Sequence, residues 1–400
     1  MTAVTDRQNP VHISFESRRE RKTEFELVWR KDMRQHKRPR NTLQCAVIGC
    51  GYIADLYMQA FRGLPVQVEA ACDIEPDRVA KFCSKYRIKQ GFASCKELLQ
   101  SCAVDFVVIA TPPASHSGLS NLALDHGVAV VVEKPACFSL AEAKTLADRS
   151  AKTGVPIAVM QNYRFKLPML KAMALYQSGE IGKLRRIDCV YHGGVPASEP
   201  APWRGEQQTH RMLLYEWAEH FLDLEVAFAG PIRKILSVRS NYRDADESSR
   251  TIEALIEHSS GVTGSIDLRA FSGAESARVE IHGSRRHVEL KFFPDGFASY
   301  SGVITPLHEL WSDCVRAAAF GSNFAASALR TWGVSRQALS HFRFLEHFIN
   351  FLQGREARLP VSIADVLPTT ELLGVLAAAV FQPYREEPVV FATLSARNAC

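Results

Sequence analysis

The stretch Cys45-Ala46-Val47-Ile48-Gly49-Cys50-Gly51-Tyr52-Ile53-Ala54 decides the fold of the first part of the chain. It opens with an apolar run of strand length and continues at once as G-x-G-x-x-A. A helix-compatible segment, residues 55–61, and a second apolar run, residues 66–72, come next, and the run ends in Asp73. This order of elements, a strand, a glycine turn, a helix, a second strand and an acid, is that of a dinucleotide-binding βαβ unit.

Each residue of the turn meets a physical need of such a unit. Gly49 permits the tight turn, Gly51 lets a pyrophosphate approach the backbone, and the small Ala54 lets the helix pack closely on its strand. Free N–H groups at the start of the helix face the phosphates, a contact that we assign to Tyr52 and Ile53. A glycine turn with a purely structural role is the alternative.

The acid Asp73 predicts which dinucleotide binds. It follows the second glycine by about 20 residues, the spacing at which a carboxylate meets the adenosine ribose hydroxyls. A 2′-phosphate would meet like-charge repulsion there, and neither Ile74 nor Glu75 brings a cation to offset it. We therefore expect NAD in preference to NADP.

Length and composition narrow the class of protein. The 400 residues fit about two domains, and 46% hydrophobic with 23% charged residues is typical of a soluble globular protein. The longest apolar runs, such as residues 372–381, are too short to span a bilayer, and the chain does not open with a cleavable apolar segment. The ten cysteines include no C-x-x-C pair, which argues against a zinc site or a disulfide framework. We expect a cytoplasmic protein without a metal or a membrane partner.

The positive charge is concentrated at the N-terminus. Residues 1–40 hold 11 Lys and Arg against 6 Asp and Glu, whereas the remaining residues hold 37 of each, so the net charge of +5 belongs to the first tenth. A basic arm can contact nucleic acid or an acidic partner. We favour an extension, residues 1–43, that docks on its own protein through Phe25, Val28 and Trp29 and affects assembly.

Helices and apolar strands alternate as far as residue 162. We predict helices over 77–85, 94–101, 116–125 and from a capping box at Ser139, and buried strands over 105–110, 128–132 and 156–160. This alternation predicts a doubly wound parallel sheet over residues 44–162, a Rossmann domain whose ligand site lies at the carboxyl ends of the strands. Lys134 stands at such an end.

Beyond residue 162 the strands become more frequent and richer in β-branched residues. We predict strands over 183–191, 232–241, 251–258, 262–269, 279–282 and 287–293, and helices over 167–176, 211–228, 306–329, 335–352 and 363–381. Closely spaced strands joined by turns imply an open, mainly antiparallel sheet. Residues 163–400 should therefore form an α+β domain.

The predicted helix 211–228 carries the candidate chemistry. Apolar residues recur along it at spacings of three and four, which alone indicates ordinary core packing. Glu216, His220 and Asp223 follow the edge of that stripe at i, i+4 and i+7, so they would share one face of an α-helix. A carboxylate one turn before an imidazole orients it and raises its basicity. A histidine satisfied by its neighbour is the alternative, but Lys134 at a strand end favours catalysis.

These motifs together resemble a known family. In chain order they are Gly49-Cys50-Gly51-Tyr52-Ile53-Ala54, Thr111-Pro112-Pro113 with His116, Glu133-Lys134-Pro135, Asn162-Tyr163-Arg164-Phe165, Gly179-Glu180-Ile181-Gly182, Trp203-Arg204 and the segment Glu216 to Asp223. This order, over about residues 44–390, is similar to that of the glucose-fructose oxidoreductase / inositol dehydrogenase (Gfo/Idh/MocA) family. The resemblance implies a two-domain protein that binds NAD or NADP and oxidises or reduces sugars, cyclitols or sugar nucleotides.

The resemblance also implies a role for each motif. Lys134 would be the active-site lysine and His220 the general base, with Glu216 orienting His220. The cofactor site would further include Thr111, Pro112, His116, Glu133 and Lys134. The site of a small polyhydroxylated substrate would be lined by Tyr163, Arg164, Trp203, Arg204 and Asp223, for which packing between domains is the alternative. Residues 163–400 would bind substrate and form a homodimer or homotetramer.

The chain departs from the family pattern at the second-domain helix. The family usually reads D-x-G-x-H-x-x-D, and here Glu216 and Ala218 replace the first acid and the glycine. Two alternatives therefore stay open: a glycoside hydrolase that works by transient oxidation on a retained NAD, and a nucleotide-binding regulator without catalysis. The presence of both Lys134 and His220 favours an enzyme, because a regulator needs no proton-transfer pair.

Overall fold

The computed structural model describes residues 42–193, 213–241, 250–270, 275–293, 295–301 and 338–380. Three predictions fall outside these residues: the basic arm as far as residue 41, the helix at 306–329, and the candidate substrate contacts Trp203 and Arg204. They stay predictions.

The first sheet contains six parallel strands: β1 (Leu43–Ile48), β2 (Val66–Cys72), β3 (Gln90–Phe92), β4 (Phe106–Ile109), β5 (Ala129–Val132) and β6 (Ile157–Val159). Their order is β3-β2-β1-β4-β5-β6. Every residue of β4, β5 and β6 is buried, as expected for strands covered on both faces. The strand order reverses beside β1, which makes the carboxyl ends of β1 and β4 the crevice where ligands bind in such sheets. The predicted doubly wound sheet is confirmed.

Five helices accompany these strands: α1 (Tyr52–Ala60), α2 (Pro76–Tyr86), α3 (Cys95–Ser101), α4 (His116–Asp125) and α5 (Leu140–Thr153). The predicted capping residue at the start of α5 is confirmed. The Ser139 hydroxyl accepts the backbone N–H of Glu142 and donates to the Glu142 carboxylate. In contrast, α1 has no side-chain cap at its N-terminus. Its first N–H groups therefore stay available to an anion.

The second sheet contains seven strands: β7 (Leu184–Gly193), β8 (Ile232–Ser240), β9 (Thr251–His258), β10 (Thr263–Ala270), β11 (Ser276–Gly283), β12 (His287–Phe292) and β13 (Asp295–Tyr300). Their order is β13-β12-β11-β7-β10-β9-β8. Strands β7 and β10 pair in parallel, and the other neighbouring strands of this sheet pair antiparallel. Burial alternates residue by residue in β9 and β10, so one face covers a core. The open, mainly antiparallel sheet is confirmed.

The helices of the second half are α6 (Leu167–Gln177), α7 (Glu219–Ala229), α8 (Ala338–Leu352) and α9 (Leu367–Val380). The predicted single helix over 211–228 is wrong in its first part, because Leu213–Ala218 forms a π-helical segment ahead of α7. A π-helix bonds i to i+5, so residues four apart across this segment no longer align as they do in an α-helix.

The chain returns to the first sheet after it has built the second. Phe344 and Phe348 of α8 are buried in the core of the first sheet, and the Phe348 ring meets Phe106 edge-on at 5.4 Å. Val159 of β6 donates its N–H to the backbone oxygen of Val361 over 3.0 Å. The predicted division at residue 162 stays a prediction, but α8 packs with the first core.

Within the described ranges, no helix is long and apolar enough to cross a membrane. Likewise, no three His, Cys, Asp or Glu side chains within those ranges are grouped so that they could hold a metal ion.

Candidate active site

The glycine turn after β1 has the shape that a pyrophosphate needs. Gly49 has a φ of +94°, and a Cβ added there would lie 2.6 Å from the backbone oxygen of Ala110, so the residue must be glycine. A Cβ added to Gly51 would meet nothing within 4 Å. Open space beside Gly51 and the uncapped start of α1 fit a dinucleotide phosphate.

The two glycines should respond differently to substitution. We expect Gly51→Ala to fold normally and to lose at least about tenfold in NAD affinity, because its methyl group enters the space for the phosphate. Gly49→Ala should instead unfold at a lower temperature, because its methyl group strikes backbone. Calorimetry of NAD binding and thermal unfolding of both variants test this pair. A Gly51→Ala variant with wild-type affinity would contradict the assignment.

Asp73 ties the second strand to the glycine turn. Its Oδ2 accepts the N–H of Cys50 over 2.8 Å, and its Oδ1 accepts the N–H of Glu75 over 3.0 Å. The side chain stays partly exposed, and its oxygens have further lone pairs for ribose hydroxyls. Burial and the charge of Asp73 raise the pKa of the Cys50 thiol to about 12, and the charge of Arg78 acts in the opposite direction. Arg78 is therefore a cation near the glycine turn, although neither Ile74 nor Glu75 supplies one.

Glu133 is held from several sides. The Tyr57 hydroxyl donates to Oε1 over 2.9 Å, His341 Nε2 of α8 lies 3.6 Å from the same oxygen, and the N–H of Lys134 donates to Oε2 over 3.3 Å. Burial raises the pKa of Glu133, but the contact with His341 and the charge of Lys134 outweigh burial, so the pKa is lowered overall. These contacts make Glu133 an anchor for the strand end that carries Lys134.

His116 joins two strand-end motifs through their backbones. Its Nδ1 lies 2.8 Å from the backbone oxygen of Pro135, and its Nε2 lies 2.7 Å from that of Thr111. The side chain is 0% exposed, and its burial lowers its pKa. Both ring nitrogens lie at hydrogen-bond distance from protein backbone oxygens, so His116 positions the Thr111-Pro112 turn, which is partly exposed. Its direct contact with the cofactor stays a prediction.

Lys134 and His220 come together at the seam between the two sheets. Lys134 Nζ donates to the backbone oxygen of Glu216 over 2.6 Å. The His220 ring stacks on Tyr163, with 4.0 Å between centroids and 8° between planes. Burial is the main cause of a pKa for His220 well below the ordinary value, and the charges of Lys134 and Lys166 lower it further. His220 is therefore neutral at neutral pH.

The predicted role of Glu216 is not seen at His220 Nδ1. That nitrogen is buried and has no hydrogen-bond partner among the described residues. The π-helical segment explains this, because it ends between Glu216 and His220 and breaks the i, i+4 alignment that the prediction assumed. Glu216 contributes its backbone oxygen to Lys134, and a role for its carboxylate stays a prediction.

Arg164 and Asp223 pair with each other. Arg164 donates from Nε to Oδ2 over 2.7 Å and from Nη2 to Oδ1 over 2.6 Å, and the Thr369 hydroxyl donates to Oδ1 over 3.1 Å. The Asp223 side chain is 1% exposed. Both of its oxygens have partners inside the protein, and its contact with substrate stays a prediction. The pair locks α7 to the turn after β6.

Three residues of the seam were missed by sequence reasoning. Gln161 Nε2 donates to Glu219 Oε1 over 3.0 Å, and both side chains are buried. The Lys166 ammonium lies 5.0 Å from the centroid of the Tyr163 ring and 3.5 Å from Asp295 Oδ1. Burial lowers the pKa of Lys166 despite the opposing charge of Asp295. Of the three, Gln161 alone could have been found from the sequence, because a polar residue that follows a buried strand is a candidate site residue.

This geometry agrees with the family models that match the chain. Residues 43–161 match the model described as oxidoreductase family, NAD-binding Rossmann fold, and residues 169–289 match the GFO/IDH/MocA C-terminal domain. Together they cover more than half of the 400 residues. The chain belongs to the GFO/IDH/MocA oxidoreductase family, and its first domain is an NAD-binding Rossmann domain. The predicted family, fold and cofactor class are confirmed.

The individual relatives share only a low sequence identity with the chain. The chain is 27% identical to D-apiose dehydrogenases of Paraburkholderia graminis, over 226 residues, and Rhizobium rhizogenes, over 229 residues. Each alignment covers 56% of this chain, but it spans only 59% and 65% of those relatives. The WlbA dehydrogenase of Bordetella pertussis, solved with NADH and UDP-GlcNAcA, superposes with a TM-score of 0.71 at 18% identity. That match covers 85% of this chain and 95% of the other, and it shows a shared fold.

Proposed function

We propose that the protein is an NAD-dependent oxidoreductase that transfers a hydride between nicotinamide and a hydroxyl or ketone carbon of a sugar, cyclitol or sugar derivative. One observation carries the proposal: a neutral, buried His220, whose Nδ1 has no hydrogen-bond partner among the described residues, lies close enough to Lys134 for the lysine charge to act on it. A neutral imidazole accepts a proton, and an ammonium stabilises negative charge on oxygen.

The chemistry divides between these two side chains. When bound, NAD supplies the nicotinamide carbon that accepts the hydride from the reacting carbon. His220 takes the hydroxyl proton, so that a C–H and an O–H bond break as the C=O bond forms. Lys134 uses one of its three N–H donors on the oxygen of Glu216, which leaves two for the reacting oxygen. Tyr163 holds the His220 ring flat by stacking, and His116 and Glu133 hold the strand ends in place.

An assay with a substrate panel tests the proposal. The purified protein would be incubated with NAD and with D-apiose, inositols, other polyols and aldoses, and UDP-GlcNAcA, while reduced nicotinamide is followed by absorbance. We expect at least one compound to yield reduced nicotinamide, and Lys134→Met to abolish most of the signal. Nucleotide binding without turnover of any compound would contradict the proposal, as would release of sugar without net reduction of NAD.

NAD should bind more tightly than NADP. Asp73 places its carboxylate beside the expected position of the ribose hydroxyls, and we expect a preference of about tenfold or more. Asp73→Ala should narrow this ratio, and Arg78→Ala should widen it because it removes a cation near the turn. Calorimetric titration with both nucleotides measures the ratio. Equal affinities in the wild type would contradict the role of Asp73.

The proposal includes two further predictions from sequence, a cytoplasmic location and a homodimer or homotetramer. Light scattering coupled to size-exclusion chromatography measures the oligomer. A variant that begins at Asn41 tests whether the basic arm affects assembly while NAD binding is kept.

A further inference from the structure

A buried glutamate lies at the domain seam, one residue before His220. Glu219 begins α7 and is 4% exposed. Its Oε1 accepts one hydrogen bond, from Gln161, and its Oε2 is buried without a hydrogen-bond partner among the described residues. A buried carboxylate that keeps its charge is normally held by several donors. One amide donor leaves the ionised form of Glu219 poorly supported.

The charged groups around Glu219 act in both directions. Lys134, in the segment after β5, favours the ionised form, whereas Glu133 in that segment and Asp223 on α7 oppose it. His341 of α8 lies behind Glu133. Burial is the largest influence, and together these groups raise the pKa of Glu219 to about 8.

We propose that Glu219 is a positioning residue that stays protonated near neutral pH and thereby leaves the Lys134 ammonium directed to the Glu216 oxygen and the reacting oxygen of the substrate. Loss of the Glu219 proton creates a buried carboxylate three residues beyond Glu216, whose backbone oxygen holds the Lys134 ammonium, and this new charge draws the ammonium into an ion pair and away from the reacting oxygen. The effect of Glu219 on the reacting oxygen rests on the proposed function. The protonation of Glu219 and its coupling to Lys134 do not rest on that function.

Thermal unfolding tests the proton without any assay of activity. Glu219→Gln keeps the shape of the protonated acid and does not titrate. Because the pKa is raised in the folded protein, the stability linked to this proton is complete below about pH 4.5 and is lost as pH rises to about 8. The Tm of Glu219→Gln should therefore exceed that of the wild type by a margin that grows from about pH 5 to about pH 8 and reaches roughly 5 °C. Glu346→Gln, on an exposed residue of α8, should show no such growth.

The coupling to Lys134 is tested in the Lys134→Met background. Removal of the ammonium takes away the one charge that favours ionised Glu219, so the midpoint of the pH-dependent margin should move up by about one pH unit. Glu225→Gln is the matched control for a buried glutamate, since Glu225 pairs with His258 in the second domain, 3.3 Å away. Its stability effect should not respond to Lys134→Met.

Two results would overturn the inference: Tm curves of wild type and Glu219→Gln that run parallel, or a midpoint that Lys134→Met leaves in place. With an active substrate, the wild-type rate should fall above about pH 8, and Glu219→Gln should keep its rate there. An identical fall in both proteins would exclude the positioning role. If no substrate reacts while the Tm pattern holds, the proposed function fails and the coupled, protonated Glu219 stands.

Discussion

Replacement of His220 by alanine is expected to lower turnover by about 10²–10⁴-fold, the usual cost of losing a positioned general base. NAD affinity should stay near that of the wild type, because the glycine turn and Asp73 lie on the other domain. The loss should appear in kcat and in kcat/KM together, since the proton moves in the transition state. Turnover and calorimetric NAD affinity measure the two effects.

Two further variants distinguish the role of His220 from the roles of Lys134 and Glu216. Lys134→Met deletes the charge and keeps the stem, so it should also lower kcat while nucleotide affinity changes less. Glu216→Gln should be mild, because the contact with Lys134 uses the backbone oxygen of Glu216, which the substitution keeps. Wild-type turnover by His220→Ala across the pH range would make the imidazole structural and the mechanism wrong.

The first sheet could be predicted from sequence because its central strands are buried on both faces. Such strands are continuous apolar runs, as in residues 106–110, and the glycine turn with Asp73 identifies the first two strands. Two of the four edge strands escaped prediction. Gln90–Phe92 has three residues, one of them glycine, and Asp295–Tyr300 is partly exposed along most of its length. Neither has the apolar pattern on which strand prediction depends.

The site was harder to predict than the sheet. Lys134 was found because it directly follows a buried strand, and His220 because it lies in a recognised motif. The partners of these two residues depend on a π-helical segment that no sequence pattern signals, so Glu216 was assigned to the imidazole. Glu219 was overlooked because an α-helical reading places it beside the polar face. Contacts across a domain seam join residues far apart in sequence, and spacing along one element does not reveal them.

Replacement of Arg164 by methionine is expected to lower the Tm by roughly 5 °C. The substitution leaves Asp223 as a buried carboxylate with the Thr369 hydroxyl as its one remaining partner among the contacts described, and breaking a buried ion pair in this way costs about 3–5 kcal/mol. Arg149→Met is the matched control, since Arg149 pairs with Asp125 at the surface, where an ion pair contributes at most about 1 kcal/mol. Calorimetry of both variants measures the difference.

A double variant shows whether the lower Tm results from breaking the Arg164–Asp223 ion pair. In Arg164→Met with Asp223→Leu, no buried charge is left without a partner, so part of the lost Tm should return. The double variant should also bind NAD like the wild type and turn over more slowly, because Asp223 lies one turn beyond His220 on α7 and the pair sets the position of that helix. If Arg164→Met lowered the Tm no more than Arg149→Met, the Arg164–Asp223 pair would contribute little to stability. The position of His220 relative to Lys134 would then depend on other contacts between the two domains, chiefly the stacking of His220 on Tyr163 and the hydrogen bond from Gln161 to Glu219.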